Sequence, residues 1–237
     1  MEYPLIETKG RANKMGKDLQ NEVEYYYDSH PTLEDLMGET SPHAALVSYL
    51  MQVLKWLFRG ETCAIYENLN FYRTQNPKEY PLAPDVAVIK GVAFRHLRSW
   101  KVDKTGPSPH VVFEVASEET WKNDVQDKPL KYALMGVEEY FYYDPDAPAS
   151  PSWRQLHRSL VGWQFNKATG TINEMQPDEH GRLWSEHLVS FLVPDGIYLR
   201  LYDRTNRLRP TAEEAFAQKA EALEQKLRSL GVNPDEK

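Results

Sequence analysis

Glu114 stands in the middle of the segment HVVFEVAS, where Val111, Phe113 and Val115 alternate with Val112 and Ala116. That period of two marks a largely buried strand. An ionised carboxylate there is costly unless a partner compensates it or it takes up a proton. A second carboxylate, Asp85, opens the strand-like run DVAVIKG directly after Pro84. If the two strands are neighbours, these acids converge on one face of one sheet and repel each other unless a cation lies between them. Hard oxygen ligands, completed by water and substrate, are what Mg²⁺ prefers. Such an ion polarises a phosphoryl oxygen and activates water for in-line attack.

Cleavage of a phosphodiester also requires positive charge where negative charge develops. Lys122, Lys128 and Lys131 follow Glu114, and Lys128 stands four residues after Asp124, four before Tyr132 and directly before Pro129. Each of these residues also has a plainer reading. Asp85 can cap a loop-to-strand junction, Glu114 can belong to a buried salt bridge, and Lys128 can form a surface ion pair with Asp124. His43, in the first turn of a helix, can orient a carboxylate or phosphate, or can be a solvated histidine. Cys63 reads most simply as a small buried hydrophobe. Residues 90–110 carry Lys90, Arg95, Arg98, Lys101 and Lys104 against Asp103, a local excess of +4 in a chain of net charge -7. With Phe94 and Trp100 interleaved, this is either a footprint for a polyanion or a solvated loop. On the first reading Arg95, Arg98 and Lys101 are the nucleic-acid contacts.

The elements that must position these groups follow from periodicity and punctuation. Ser41 caps a helix with Pro42 in its first turn and an apolar stripe of Leu46, Leu50, Val53 and Leu57. Strand-like runs cover 63–72 and 85–91, and a loop of roughly twenty residues leads on to the Glu114 strand. DVQDKPLKYALMGV predicts a short helix, regular from Pro129 to Gly136, and EEYFYYDP an aromatic strand. After the linker PDAPASPS, residues 153–204 alternate and turn repeatedly, as antiparallel strands do. Thr211 and Glu214 form a capping box for a terminal helix whose Phe216, Ala220, Leu223, Leu227 and Leu230 keep heptad spacing. That stripe is expected to pack on the body or on a second copy, as a homodimer.

Several classes of chemistry are excluded. A single cysteine leaves no disulfide framework or cysteine-rich zinc site. No Gly-rich phosphate loop, HExxH, CxxC or GxSxG pattern occurs. The net charge of -7 argues against a generally basic nucleic-acid coat. The N-terminus lacks a secretory apolar region, and no apolar run is long enough to span a bilayer. A soluble, cytoplasmic protein without a membrane partner is expected.

Taken together, Pro84-Asp85, the FEVAS strand with Glu114, the spaced Asp124, Lys128 and Tyr132, and GVEEYFYYDP resemble the Uma-type endonuclease family. That family is abundant in cyanobacteria and belongs to the restriction-endonuclease-like PD-(D/E)xK superfamily. The resemblance runs from about residue 31 to 205 and includes the helix with His43 and the segment GRLWSEHLVSFLV; the terminal heptad helix is also typical of the family. It implies an α/β (α+β) fold, a central mixed sheet flanked by helices; residues 1–30, polar and weakly patterned, are expected to form a flexible arm before it, and 206–237 a C-terminal helix after it. It further implies a DNA endonuclease using Mg²⁺, or Mn²⁺, with Asp85 and Glu114 as metal ligands. The superfamily lysine two residues beyond the glutamate is Ala116 here, and Lys128 matches the position from which a helix lysine substitutes. The alternative is a catalytically inactive nuclease-fold module that binds nucleic acid or protein.

Overall fold

The computed structural model describes residues 40–73, 80–116, 120–146 and 158–231. The arm expected over 1–30, and most of the PDAPASPS linker, lie outside the described residues.

The first helix, α1 (Ser41–Leu57), starts one residue earlier than its sequence signal suggests. Thr40, not Ser41, is its cap, accepting a hydrogen bond from the His43 backbone, and Pro42 sits in the first turn. The 63–72 run divides into β1 (Cys63–Glu67) and β2 (Asn70–Tyr72). The break falls at Asn68, whose φ of 47° belongs to the left-handed region that short polar residues tolerate. Next come β3 (Val86–Lys90), a short β4 (Ser99–Lys101) inside the expected loop, and β5 (Val111–Val115), which carries Glu114.

The single short helix expected after β5 is two: α2 (Trp121–Gln126) and α3 (Lys128–Met135), joined at Asp127. Pro129 is accommodated in the first turn of α3, where no intrahelical N–H is needed. Gly136 ends α3 at a φ of 88°, a left-handed cap that costs glycine little. Strands β6 (Glu139–Tyr143), β7 (Leu160–Asn166), β8 (Thr171–Glu174), β9 (Leu183–Ser185), β10 (Ser190–Asp195) and β11 (Tyr198–Tyr202) follow, and α4 (Ala212–Ser229) closes the described chain.

Among the described residues six strands form the central sheet, in the order β1-β3-β5-β6-β7-β8. Only β5 and β6 run parallel within it, joined by the α2–α3 crossover, so the sheet is mixed. One face, with Val86, Val88, Val111, Phe113 and Phe141, packs on the α1 stripe and on the β11-β10-β9 sheet. The other, with Ala87, Ile89, Val112, Tyr140 and Tyr142, packs on Trp121, Tyr132 and Met135 of α2 and α3, and on Trp100. The central strands are therefore covered on both faces, which is why β5 and β6 read as nearly continuous apolar runs. No helix among the described residues is long and apolar enough to cross a membrane.

Candidate active site

The polar exception in β5 is on the α3 side. Glu114 is buried at 4% exposure, and its Oε1 accepts a short hydrogen bond from the Tyr132 hydroxyl. The same oxygen lies 3.0 Å from Lys128 Nζ. Lys128 and Tyr132 are one helical turn apart on α3, so both reach the same strand. Lys128 Nζ also lies 2.7 Å from Asp124 Oδ1. Asp124 is held in turn by Thr120, whose hydroxyl donates to Oδ2 at 2.8 Å. The Asp124–Lys128 pair is therefore a buried bridge, not the surface pair that its spacing alone suggests: Asp124 is 1% and Lys128 8% exposed.

Asp85 stands at the entrance of β3. The register Val86 to Phe113 brings it to the level of Glu114 at the end of the β3–β5 pair. Its Oδ2 accepts from the backbone N–H of Val115 at 2.6 Å, which ties the aspartate to the strand that carries the glutamate. Its Oδ1 accepts from His43 Nε2 at 3.2 Å. The first turn of α1 thus orients a carboxylate, the sharper of the two readings of His43.

Two carboxylates, Glu114 and Asp124, therefore flank one ammonium, and Asp85 stands beside them at the level of Glu114. Burial pushes the Glu114 carboxyl up to about 8; Lys128 opposes the rise, while Asp85 and Asp124 add to it. Burial also raises Asp124, against the pull of Lys128. The Tyr132 phenol is held well above its ordinary range by burial and by Glu114, so it remains a donor to that oxygen. At neutral pH the Lys128 ammonium is thus matched by Asp124, while the Glu114 carboxyl, pushed up to about 8, is largely protonated.

Among the described residues no group of three or more His, Cys, Asp or Glu side chains converges as a preformed metal cage. A Mg²⁺-class ion does not demand one. It uses one or two carboxylates and takes the rest of its shell from water and substrate phosphate. The hard oxygens of Asp85 and Glu114 fit that chemistry, with a bound cation displacing the Glu114 proton.

Arg95, Arg98 and Lys101 lie on a separate segment, the excursion between β3 and β5. Arg95 and Arg98 are exposed, and Arg95 Nη2 donates to the Thr105 carbonyl at 3.1 Å. Lys101 is partly buried, which lowers its amine pKa, with Lys104 adding to the effect. Trp100 is completely buried and anchors the excursion through Nε1 to the Pro107 carbonyl, whereas Phe94 remains exposed. Cys63 is half-buried against the core, and burial pushes its thiol up to about 11, so it is inert.

Residue types and spacing assign Asp124 no more than an ion-pair role. Its only signal is the four-residue spacing to Lys128, which says nothing about burial. Tyr132 is equally mute, because a tyrosine on an apolar helix face ordinarily signals core.

Among curated proteins no sequence relative of the chain is found. A crystal structure described as "a putative nuclease belonging to DUF820 from Anabaena variabilis" is similar at 12% identity and a TM-score of 0.42, covering 64% of this chain and 76% of that one. The family model that matches spans residues 17–176, so it contains Asp85, Glu114, Asp124, Lys128 and Tyr132 and stops before β9. That match covers well over half of the 237 residues, and the chain belongs to the family it describes, Uma2, "Putative restriction endonuclease".

Proposed function

We propose that the protein is a metal-dependent DNA endonuclease that hydrolyses phosphodiester bonds at the Asp85–Glu114–Lys128 site. The observation that carries this reading is the buried Glu114, bridged by Lys128 and level with Asp85, in a chain of this family. Asp85 and Glu114 would hold Mg²⁺ or Mn²⁺, which when bound supplies a Lewis acid for the phosphoryl oxygen and lowers the pKa of a coordinated water.

The chain's own groups have distinct parts in the hydrolysis. A water oxygen forms the new bond to phosphorus as that water gives up a proton to solvent, the ester P–O bond breaks, and the departing alkoxide takes up a proton from solvent, so that one water is consumed. Lys128 keeps its ammonium fixed between Glu114 and Asp124, where it offsets negative charge as that charge grows on the phosphate oxygens. Tyr132 holds Glu114 Oε1, and His43 with the Val115 N–H holds both oxygens of Asp85, so the acids need little rearrangement. Arg95, Arg98 and Lys101 would contact the DNA backbone.

Nicking of supercoiled plasmid with Mg²⁺ or Mn²⁺ tests the reading. Wild type should nick, and Asp85→Asn, Glu114→Gln and Lys128→Met should each lose about a hundredfold or more, the usual scale for a charge-stabilising group. Undiminished nicking in all three variants would sink the assignment. One observation favours the second reading, a binding module without turnover: Lys128 already bridges two of the acids, as a purely structural cation would. Calorimetry separates the two, because a module of that kind shows no metal binding that depends on Asp85 and Glu114.

A further inference from the structure

No side chain of α4 is buried, although three large apolar residues lie on it and a fourth, Leu230, caps its C-terminus. Phe216, Leu223 and Leu230 recur seven residues apart, with Ala220 and Leu227 in the intervening seam positions. Leu223, Leu227 and Leu230 are 53%, 39% and 69% exposed. The helix is attached to the body at its start. The Thr211–Glu214 capping box is complete, Glu214 pairs with Arg200 at 3.1 Å, and the Phe216 ring meets Trp56 edge-on at 5.4 Å. Beyond Phe216 every described α4 side chain is exposed, so a firmly capped helix presents an apolar stripe along its length.

The charges beside the stripe say what covers it. With Leu223 and Leu230 in one seam position and Ala220 and Leu227 in the other, the flanking positions hold Lys219 and Lys226 on one side and Glu224 on the other. In a parallel pair of identical helices, the lysine flank of each chain faces the glutamate flank of its twin, and Lys219 meets Glu224 in both directions. In an antiparallel pair lysine would face lysine and glutamate would face glutamate. Lys219 and Glu224 are five residues apart, a spacing that does not bring them together within one helix. Their complementarity therefore operates between chains.

We infer that α4 is a parallel self-association helix whose partner is the α4 of a second copy of this chain. The inference does not depend on nuclease activity. The seam covers about two heptads, which is marginal for an isolated helix pair, so the dimer is weak and concentration-dependent. A parallel pair joins the two bodies at the same end of the seam, through the Thr211 cap of each helix.

The test is sedimentation equilibrium of the full chain over a wide concentration range. Wild type should show a reversible monomer–dimer equilibrium, and Leu223→Glu with Leu227→Glu should abolish it. Lys219→Glu alone, and Glu224→Lys alone, should each weaken the dimer about tenfold, because two attractive contacts become repulsive. Combining both reversals in one chain, or mixing the two single variants in equal amounts, should restore wild-type association. These positions are on an exposed helix, so circular dichroism and thermal melts should show every variant folded. A wild type that stays monomeric overturns the inference. A dimer that survives the two leucine substitutions overturns it too, as do charge reversals that fail to compensate each other.

Discussion

Glu114 is the residue on which the chemistry turns. Its folded-state pKa lies at about 8 against an ordinary 4.5, because burial favours the protonated form more strongly than Lys128 favours the charged one. A carboxyl raised in this way contributes stability that is complete below its ordinary value and is lost as the pH rises through about 8. Thermal melts of the metal-free protein should therefore fall from pH 5 to pH 9 by an amount equivalent to a few kcal/mol, with Asp124 acting in the same direction. Glu114→Gln should flatten that slope and leave stability near neutral pH unchanged or higher. Lys128 still has Asp124 at 2.7 Å in that variant, so no buried cation is stranded. A loss of several kcal/mol in Glu114→Gln would show instead that the glutamate holds the fold together. Lys128→Met is the reverse case. It leaves Glu114 and Asp124 buried without their cation, and should cost about 3–5 kcal/mol near pH 8, less as the acids protonate. Denaturant titrations at two pH values measure that difference.

At the scale of elements, the site depends on the α2–α3 break and the caps around it. Asp127 joins the helices so that Asp124 and Lys128 approach across the junction, and Gly136 ends α3 in a conformation other residues adopt with strain. A Cβ at Gly136 would lie 2.9 Å from Ser108 Oγ, on a backbone whose φ of 88° already strains any residue with a side chain. Gly136→Ala should therefore destabilise by about 1–2 kcal/mol and reduce activity by displacing Lys128 and Tyr132, as denaturant melts and plasmid nicking will show. The excursion between β3 and β5 makes a separate prediction. Replacing Arg95, Arg98 and Lys101 together by alanine should weaken DNA binding and lower the slope of log K against log salt by about one for each phosphate no longer neutralised. Fluorescence anisotropy over a salt series measures it, and an unchanged slope would return the excursion to ordinary surface.

For the whole molecule, the central sheet divides two cores, and the candidate site lies buried on the α2–α3 side, where β3, β5 and α3 meet. The α4 helix contributes a buried side chain to neither. Removing residues 212–237 should cost the body only about 1 kcal/mol, the scale of the Arg200–Glu214 pair and the helix cap, when melts are run at concentrations too low for self-association. A collapse of the melting temperature would mean that α4 is an integral part of the core.

From the sequence alone came the elements and the candidate residues, because both leave local traces. The alternation in β5, the left-handed stop at Gly136, the capping box of α4 and its heptad stripe are all properties of neighbours along the chain. Asp85 and Glu114 were conspicuous for the same reason, as carboxylates where apolar residues were expected. Local pattern could not supply the partners. That Lys128 bridges Glu114 and a buried Asp124, that Tyr132 donates to the glutamate, and that His43 reaches across 42 residues to Asp85 are decided by how strands and helices pack. Burial has the same origin. An i,i+4 acid–base pair has one spacing whether it is solvated or enclosed, and only the sheet beneath α2 and α3 makes this one a desolvated, charge-strained cluster.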